Sequence, residues 1–335
     1  MPPTPTSRDP RRAVRIRPAW LVAAVALALS DVTRAQLDRN FPPPPPLHSP
    51  VEGAIDMHVH SEPDVFGRSL NDIETARLAQ RLGMRAIVLK NHVTQTADRA
   101  ALVALTVPGV EIFGGIVLNR AVGGINPTAV EWMTRMSGAR GRVVWLPTFD
   151  ADHHLRTFKE PGTGLKVAVD GKITAETEAV LRIVARANLV LQTGHVSPDE
   201  VLAVARAARE LGVKNLVVTH AMAEVPGLGL DQMRELAALG AIMELDFITH
   251  LQGPQAHLPW MTHWHRVSIA DMAAAIRQVG AESFVLSTDL GQAGNPTFAD
   301  GYSMLVGGLR KEGISDADLD TMMKRNPARL LGLAP

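Results

Sequence analysis

The chain is 335 residues long, carries no net formal charge at pH 7 and contains no cysteine. It therefore has no disulfide, thiolate metal ligand or cysteine nucleophile, and any metal must be held by nitrogen and oxygen. Its length suits one (β/α)8 barrel with extensions, and the lack of a basic stripe beyond the N-terminus points away from nucleic acid and toward small-molecule substrates.

Residues 1–35 read as an export signal peptide. Arg8, Arg11, Arg12, Arg15 and Arg17 precede the apolar run Ala19 to Leu29, and Thr33-Arg34-Ala35 offers small residues where a signal peptidase cleaves. A run this short spans a bilayer poorly, so cleavage near Ala35 and release to the periplasm or the medium is expected, with an uncleaved N-terminal anchor as the alternative. Arg11-Arg12 follows Pro10 and lacks the apolar pair of a twin-arginine signal, which leaves the export route open. Residues 36–50 form a linker in which Pro42 to Pro46 favour an extended polyproline spacer. The mature chain is expected to have no stable membrane span, and self-association stays open.

From residue 51 to residue 335, strand-like apolar runs alternate with helical patterns, as in a βα-repeated parallel sheet. Gly53-Ala54-Ile55-Asp56-Met57 opens the series and leads into His58-Val59-His60. A helix over 71–82, ended by Gly83, precedes the second strand, Arg85 to Lys90, and the third is Val110 to Leu118. The fourth, Arg142 to Leu146, stops at Pro147, where a ladder donor is lost. Asp150 to Thr174 is a long excursion with an Asp170-Gly171 hairpin turn, and it is a candidate lid. The fifth strand is Asn188 to Thr193. Ser197 caps a helix from Pro198 to Leu211, and the sixth strand runs from Asn215 to Thr219. A helix over Asp231 to Leu239, a seventh strand over Ala241 to Phe247, a helix over Ile269 to Val279 and an eighth strand ending at Thr288 complete the series. Eight strands in a row favour a closed TIM barrel over an open doubly wound sheet.

Metal-seeking residues stand where these strands end. Side chains two apart on a strand share a face, so His58 and His60 can reach one ion. His195 follows the fifth strand, His220 the sixth and Asp289 the eighth, which gathers all five at the C-terminal mouth of a barrel. Imidazole and carboxylate suit zinc, and also manganese, iron or nickel. One or two such ions would lower the pKa of bound water, and the resulting hydroxide would attack substrate with Asp289 as general acid and base.

The HxH after the first strand, the single histidines after the fifth and sixth and the aspartate after the eighth resemble the amidohydrolase superfamily of metal-dependent barrels. Asn326-Pro327-Ala328-Arg329-Leu330-Leu331-Gly332-Leu333 is similar to the closing helix of many members. The resemblance implies that His58, His60 and Asp289 bind the more buried metal, while His195 and His220 bind a second metal or orient substrate. Two-metal members often carry a bridging carboxylated lysine or a glutamate on strand four, where this chain has Trp145-Leu146-Pro147-Thr148. Lys90 at the end of the second strand is the substitute, either as a carbamylated bridging ligand or as a free ammonium that binds a substrate anion.

Arg68, His92, Asn119, Thr148 and His250 lie in strand-end loops and are candidate substrate contacts; Asp246 reads as a buried strand residue or as one that orients a ligand histidine. His153-His154 and His263-Trp264-His265 fall in long loops and read as solvated. The expected reaction is hydrolysis of an amide, a lactone or another carboxylic ester. The alternatives are a nonoxidative decarboxylase of the same superfamily, a phosphoesterase suggested by His58-Val59-His60-Ser61, and a non-catalytic metal-containing binding protein.

Overall fold

The computed structural model describes residues 49–334; the expected signal peptide and the proline run Pro42 to Pro46 lie outside the described residues. The barrel strands are β1 (Ile55–His60), β2 (Ala86–Lys90), β3 (Glu111–Val117) and β4 (Gly141–Trp145), then β7 (Val190–Gln192), β8 (Asn215–Val218), β9 (Ile242–Asp246) and β10 (Phe284–Ser287). A small antiparallel hairpin, β5 (Ala168–Val169) and β6 (Lys172–Ile173), stands apart from them, with Asp170 and Gly171 both at positive φ as its two-residue turn requires. Each barrel strand pairs in parallel with the next in chain order. Closure comes from Leu290, just past β10, whose carbonyl accepts from the His60 N–H at 2.8 Å, while the Asp289 N–H donates to the His58 carbonyl at 2.9 Å. The result is a (β/α)8 TIM barrel.

Helix signals in the sequence act where expected. Asn71 and Ser197 form capping boxes with Glu74 and Glu200, opening the helices Asp72–Arg81 and Pro198–Glu210. Among the described residues no helix is long and apolar enough to cross a membrane. The fifth barrel strand is shorter than the apolar run suggests, only Val190–Gln192, because Gly194 turns the chain at φ 64° and packs so closely on the Leu146 carbonyl that a Cβ would lie 2.3 Å from it.

A bulge in β1 aims the histidines. Ile55 pairs with Ala86 and His60 with Lys90, so β1 spends one residue more than β2 between the same two rungs. That extra residue, between Asp56 and Val59, brings Ile55 and the His58/His60 pair to the barrel's inner side despite their odd spacing. Inside, Ile55, Met57, Val88, Trp145, Val190, Val217, Ile242 and Val285 pack as an apolar plug below the polar mouth.

Asp56 ties the first strand to the last. Its buried carboxylate accepts from the Thr288 hydroxyl at 2.6 Å, the Thr288 N–H at 3.1 Å and the His58 N–H at 3.1 Å. Burial still pushes its pKa up to about 7. Thr288→Val would leave one carboxylate oxygen without its hydroxyl donor, and a loss of about 1–3 kcal/mol is expected in urea unfolding. An unchanged midpoint would show that the strand seam does not depend on this bond.

Candidate metal centre

His58, His60, Lys90, His195 and His220 are buried, and the Asp289 side chain is only 15 % exposed. His58 Nε2 lies 3.0 Å and His60 Nε2 2.9 Å from the same Asp289 oxygen, Oδ1. His220 Nε2 is 3.6 Å from the other oxygen, and Lys90 Nζ is 2.8 Å from His58 Nε2. His58, His220 and Asp289 present donor atoms that all lie within 4.8 Å of one another. His220 and Asp289 reach this point through left-handed backbone, φ 35° and φ 50°, which turns each side chain inward immediately after its strand.

Electrostatics at this point favour a cation. Burial lowers His60 and His195, and brings His220 down to about 4, so these imidazoles are neutral and free to ligate. Burial also opposes charge on His58, but the Asp289 and Glu244 carboxylates raise it to about 10. Burial lowers Lys90, whose Nζ shares a short contact with His58 Nε2. Asp289 and Glu244 thus surround His58 with buried negative charge, while burial and the neighbouring Glu244 carboxylate push Asp246, whose oxygens lack a hydrogen-bond partner, well above the usual carboxylate range. Neutral imidazoles gathered beside the buried Asp289 carboxylate are a nitrogen and oxygen donor set that fits a divalent ion.

The site floors a cavity of about 830 Å³. Phe66, Phe149, Phe158 and Trp264 line it along with His60, His195, His220 and Asp289. Arg68 and His92 also line it, as the sequence suggested, although Arg68 Nε is already paired with Asp64 at 2.7 Å and an Arg68 terminal nitrogen stands 3.2 Å from His60 Nδ1. Asn119 and Thr148 sit behind the wall: Asn119 Nδ2 donates to the Thr148 hydroxyl at 2.8 Å and to the His92 carbonyl at 3.1 Å, and Thr148 Oγ1 is 3.0 Å from His92 Nδ1. They hold His92 instead of facing the cavity. His250 is not brought to the site; it lies in the short helix Ile248–Leu251, with Nε2 3.3 Å from Arg266.

Two family models each match more than half of the chain: a family of unknown function (DUF6282) over residues 53–244 and the phosphotriesterase family over residues 162–331. The chain belongs to both families. The phosphotriesterase family is part of the amidohydrolase superfamily, so this is a metal-dependent hydrolase by family. No curated protein matches the sequence. Solved structures that resemble it include an organophosphorus hydrolase from Deinococcus radiodurans (17 % identity, TM-score 0.53, covering 88 % of this chain and 100 % of that one). An amidohydrolase from Pseudomonas aeruginosa matches at 14 % identity and TM-score 0.55, covering 84 % and 96 %. A putative 2-pyrone-4,6-dicarboxylic acid hydrolase from Pseudomonas putida matches at 18 % and 0.53, covering 84 % and 97 %. At these identities the likeness is one of fold.

For a phosphotriesterase-family chain, strand four departs from the two-metal pattern. β4 ends inward in Trp145, and Lys90 from β2 reaches across to within 5.6 Å of its ring. Sequence reasoning missed two buried groups. Glu244 stands 3.2 Å from His58 Nδ1, and the available signal was a second carboxylate, two residues before Asp246, in an otherwise apolar strand. His154, read as solvated, is buried in the helix Asp152–Thr157 with Nδ1 2.8 Å from His195 Nδ1, whereas His263 and His265 are exposed as expected. No strand register pointed to His154. Replacing Asn119 with Ala is expected to destabilise by about 1–3 kcal/mol, because the Thr148 N–H and the His92 carbonyl lose buried partners. Chemical denaturation reads this, and wild-type stability would contradict it.

Proposed function

We propose that this enzyme hydrolyses an amide, a lactone or another carboxylic ester of a small organic molecule. One or two divalent ions, zinc foremost, would be held by His58, His60, His195, His220 and Asp289. The observation that carries the reading is the convergence of His58 Nε2 and His60 Nε2 on one oxygen of Asp289 at the floor of a cavity. A divalent ion held there would act as a Lewis acid and bring the pKa of water toward neutrality.

The side chains divide the remaining work. Asp289 faces the cavity, removes a proton from the attacking water and returns it to the leaving oxygen or nitrogen, as general acid and base catalysis requires. Lys90, buried against His58 and ringed by Asp289, Glu244 and Asp246, would help hold the ions as a carbamate or bind a substrate anion as a free ammonium. Arg68 and His92 are placed to bind the polar part of a substrate, with Thr148 and Asn119 fixing His92 from behind. Phe66, Phe149, Phe158 and Trp264 give the substrate an apolar aromatic wall, which strengthens every electrostatic contact near the scissile bond. The helix Asp152–Thr157 and the β5–β6 hairpin belong to the excursion after β4, which forms part of this wall through Phe149, His154 and Phe158. The arginine-rich, apolar start of the chain supports action outside the cytoplasm.

A panel of lactones, aryl esters and cyclic amides tests the proposal. Zinc-loaded wild type is expected to turn over at least one class, and Asp289→Asn to lower kcat by about a hundredfold or more. Turnover that survives Asp289→Asn at the wild-type rate would remove Asp289 from the chemistry, and hydrolysis confined to phosphotriesters would overturn the choice of bond.

A further inference from the structure

Two fully buried carboxylates on β9, Glu244 and Asp246, have no part in the reaction above, although both stand beside His58. A ligand imidazole must present a bare nitrogen to the ion, and the hydrogen bond made by its other nitrogen decides which one is bare. With an ion held between His58 Nε2 and Asp289, Nε2 would be the bare nitrogen and Nδ1 would carry the proton. Glu244 Oε2 lies 3.2 Å from that Nδ1; Asp246 Oδ1, at 3.6 Å, is beyond hydrogen-bond range and has no partner.

Glu244 is itself fixed by a directional chain. The Gly194 N–H donates to the Thr219 hydroxyl at 3.0 Å, which donates to Gln192 Oε1 at 2.9 Å, and Gln192 Nε2 donates to Glu244 Oε1 at 3.3 Å. The chain delivers a donor to Glu244 Oε1, and the other oxygen of the carboxylate, Oε2, is left to accept from His58 Nδ1. Gly194 precedes His195 and Thr219 precedes His220, so one buried network runs under three of the candidate ligands from β7, β8 and β1.

We infer that Glu244 is the positioning residue of the metal centre: its carboxylate accepts the His58 Nδ1 proton and thereby turns the Nε2 lone pair toward the ion. The Gln192 and Thr219 side chains hold Glu244 in that pose. This inference rests on the reading of His58 as a metal ligand.

The test is the zinc dissociation constant of the full-length protein, measured by competition with a chromophoric chelator and backed by the visible spectrum of the cobalt-substituted site. Glu244→Ala is expected to weaken zinc binding about 10–100-fold and to perturb the cobalt spectrum. Glu244→Gln, which keeps an acceptor oxygen, should recover most of the affinity, and Asp246→Asn should stay close to wild type. Should Glu244→Ala fail to fold, Gln192→Met removes the support of Glu244 more gently and is expected to weaken binding several-fold. Wild-type affinity in both Glu244→Ala and Gln192→Met, or an equal loss in Asp246→Asn, would overturn the role of Glu244 while leaving the metal site intact. Wild-type protein that binds no zinc would instead overturn the metal reading beneath it.

Discussion

Buried negative charge at the barrel mouth is the constraint around which the structure is arranged. Asp289, Glu244 and Asp246 are all within ion-pair distance of His58, in a place that solvent hardly reaches. An isolated carboxylate in such a place costs several kcal/mol or more, so Asp246 is pushed toward its neutral form, and Asp289 and Glu244 persist as anions only with compensating cations and donors. The proton on His58 answers part of that need, and a divalent ion answers it more fully. The surrounding scaffold keeps the carboxylates from moving apart to relieve one another.

That scaffold concentrates its irregularities where they aim a side chain. The β1 bulge turns His58 and His60 inward, and left-handed backbone at His220 and Asp289 does the same at the ends of β8 and β10. Gly291 follows at φ 140°, so close to the His60 carbonyl that a Cβ would lie 1.9 Å away, and the chain after β10 can therefore lie directly on β1. Strained residues of this kind persist when the neighbouring structure over-determines them. Here the Asp56 to Thr288 bonds and the parallel ladder supply that support. Ligation and substrate contact separate accordingly: ligands stand at strand ends, while aromatic wall residues come from the longer excursions after β1, β4 and β9.

Much of this was legible in the sequence, because a parallel barrel imposes strong patterns. Apolar runs such as Arg85 to Lys90, caps such as Ser197 before Pro198, and the Asp170-Gly171 turn each report local backbone geometry, and local geometry dominates in these elements. His58, His60, His195, His220 and Asp289 were legible for the same reason, since strand ends in a barrel converge. Glu244 and His154 were not, because each acquires its partner from a residue far along the chain, 186 and 41 positions away. His250, Asn119 and Thr148 stood at suitable heights, but height along a strand does not say which way a loop side chain turns. Asn119 and Thr148 turned to each other and to His92, and His250 toward Arg266.

The most direct measurement of the central claim is the metal content per chain of protein purified without chelator, for wild type and for the double variant His58→Ala, His60→Ala. One or two equivalents of a divalent metal in the wild type, lost in the variant without loss of the folded barrel, is the predicted result. A wild type free of metal that gains none from added zinc or manganese, and that the double substitution leaves unchanged, would contradict it.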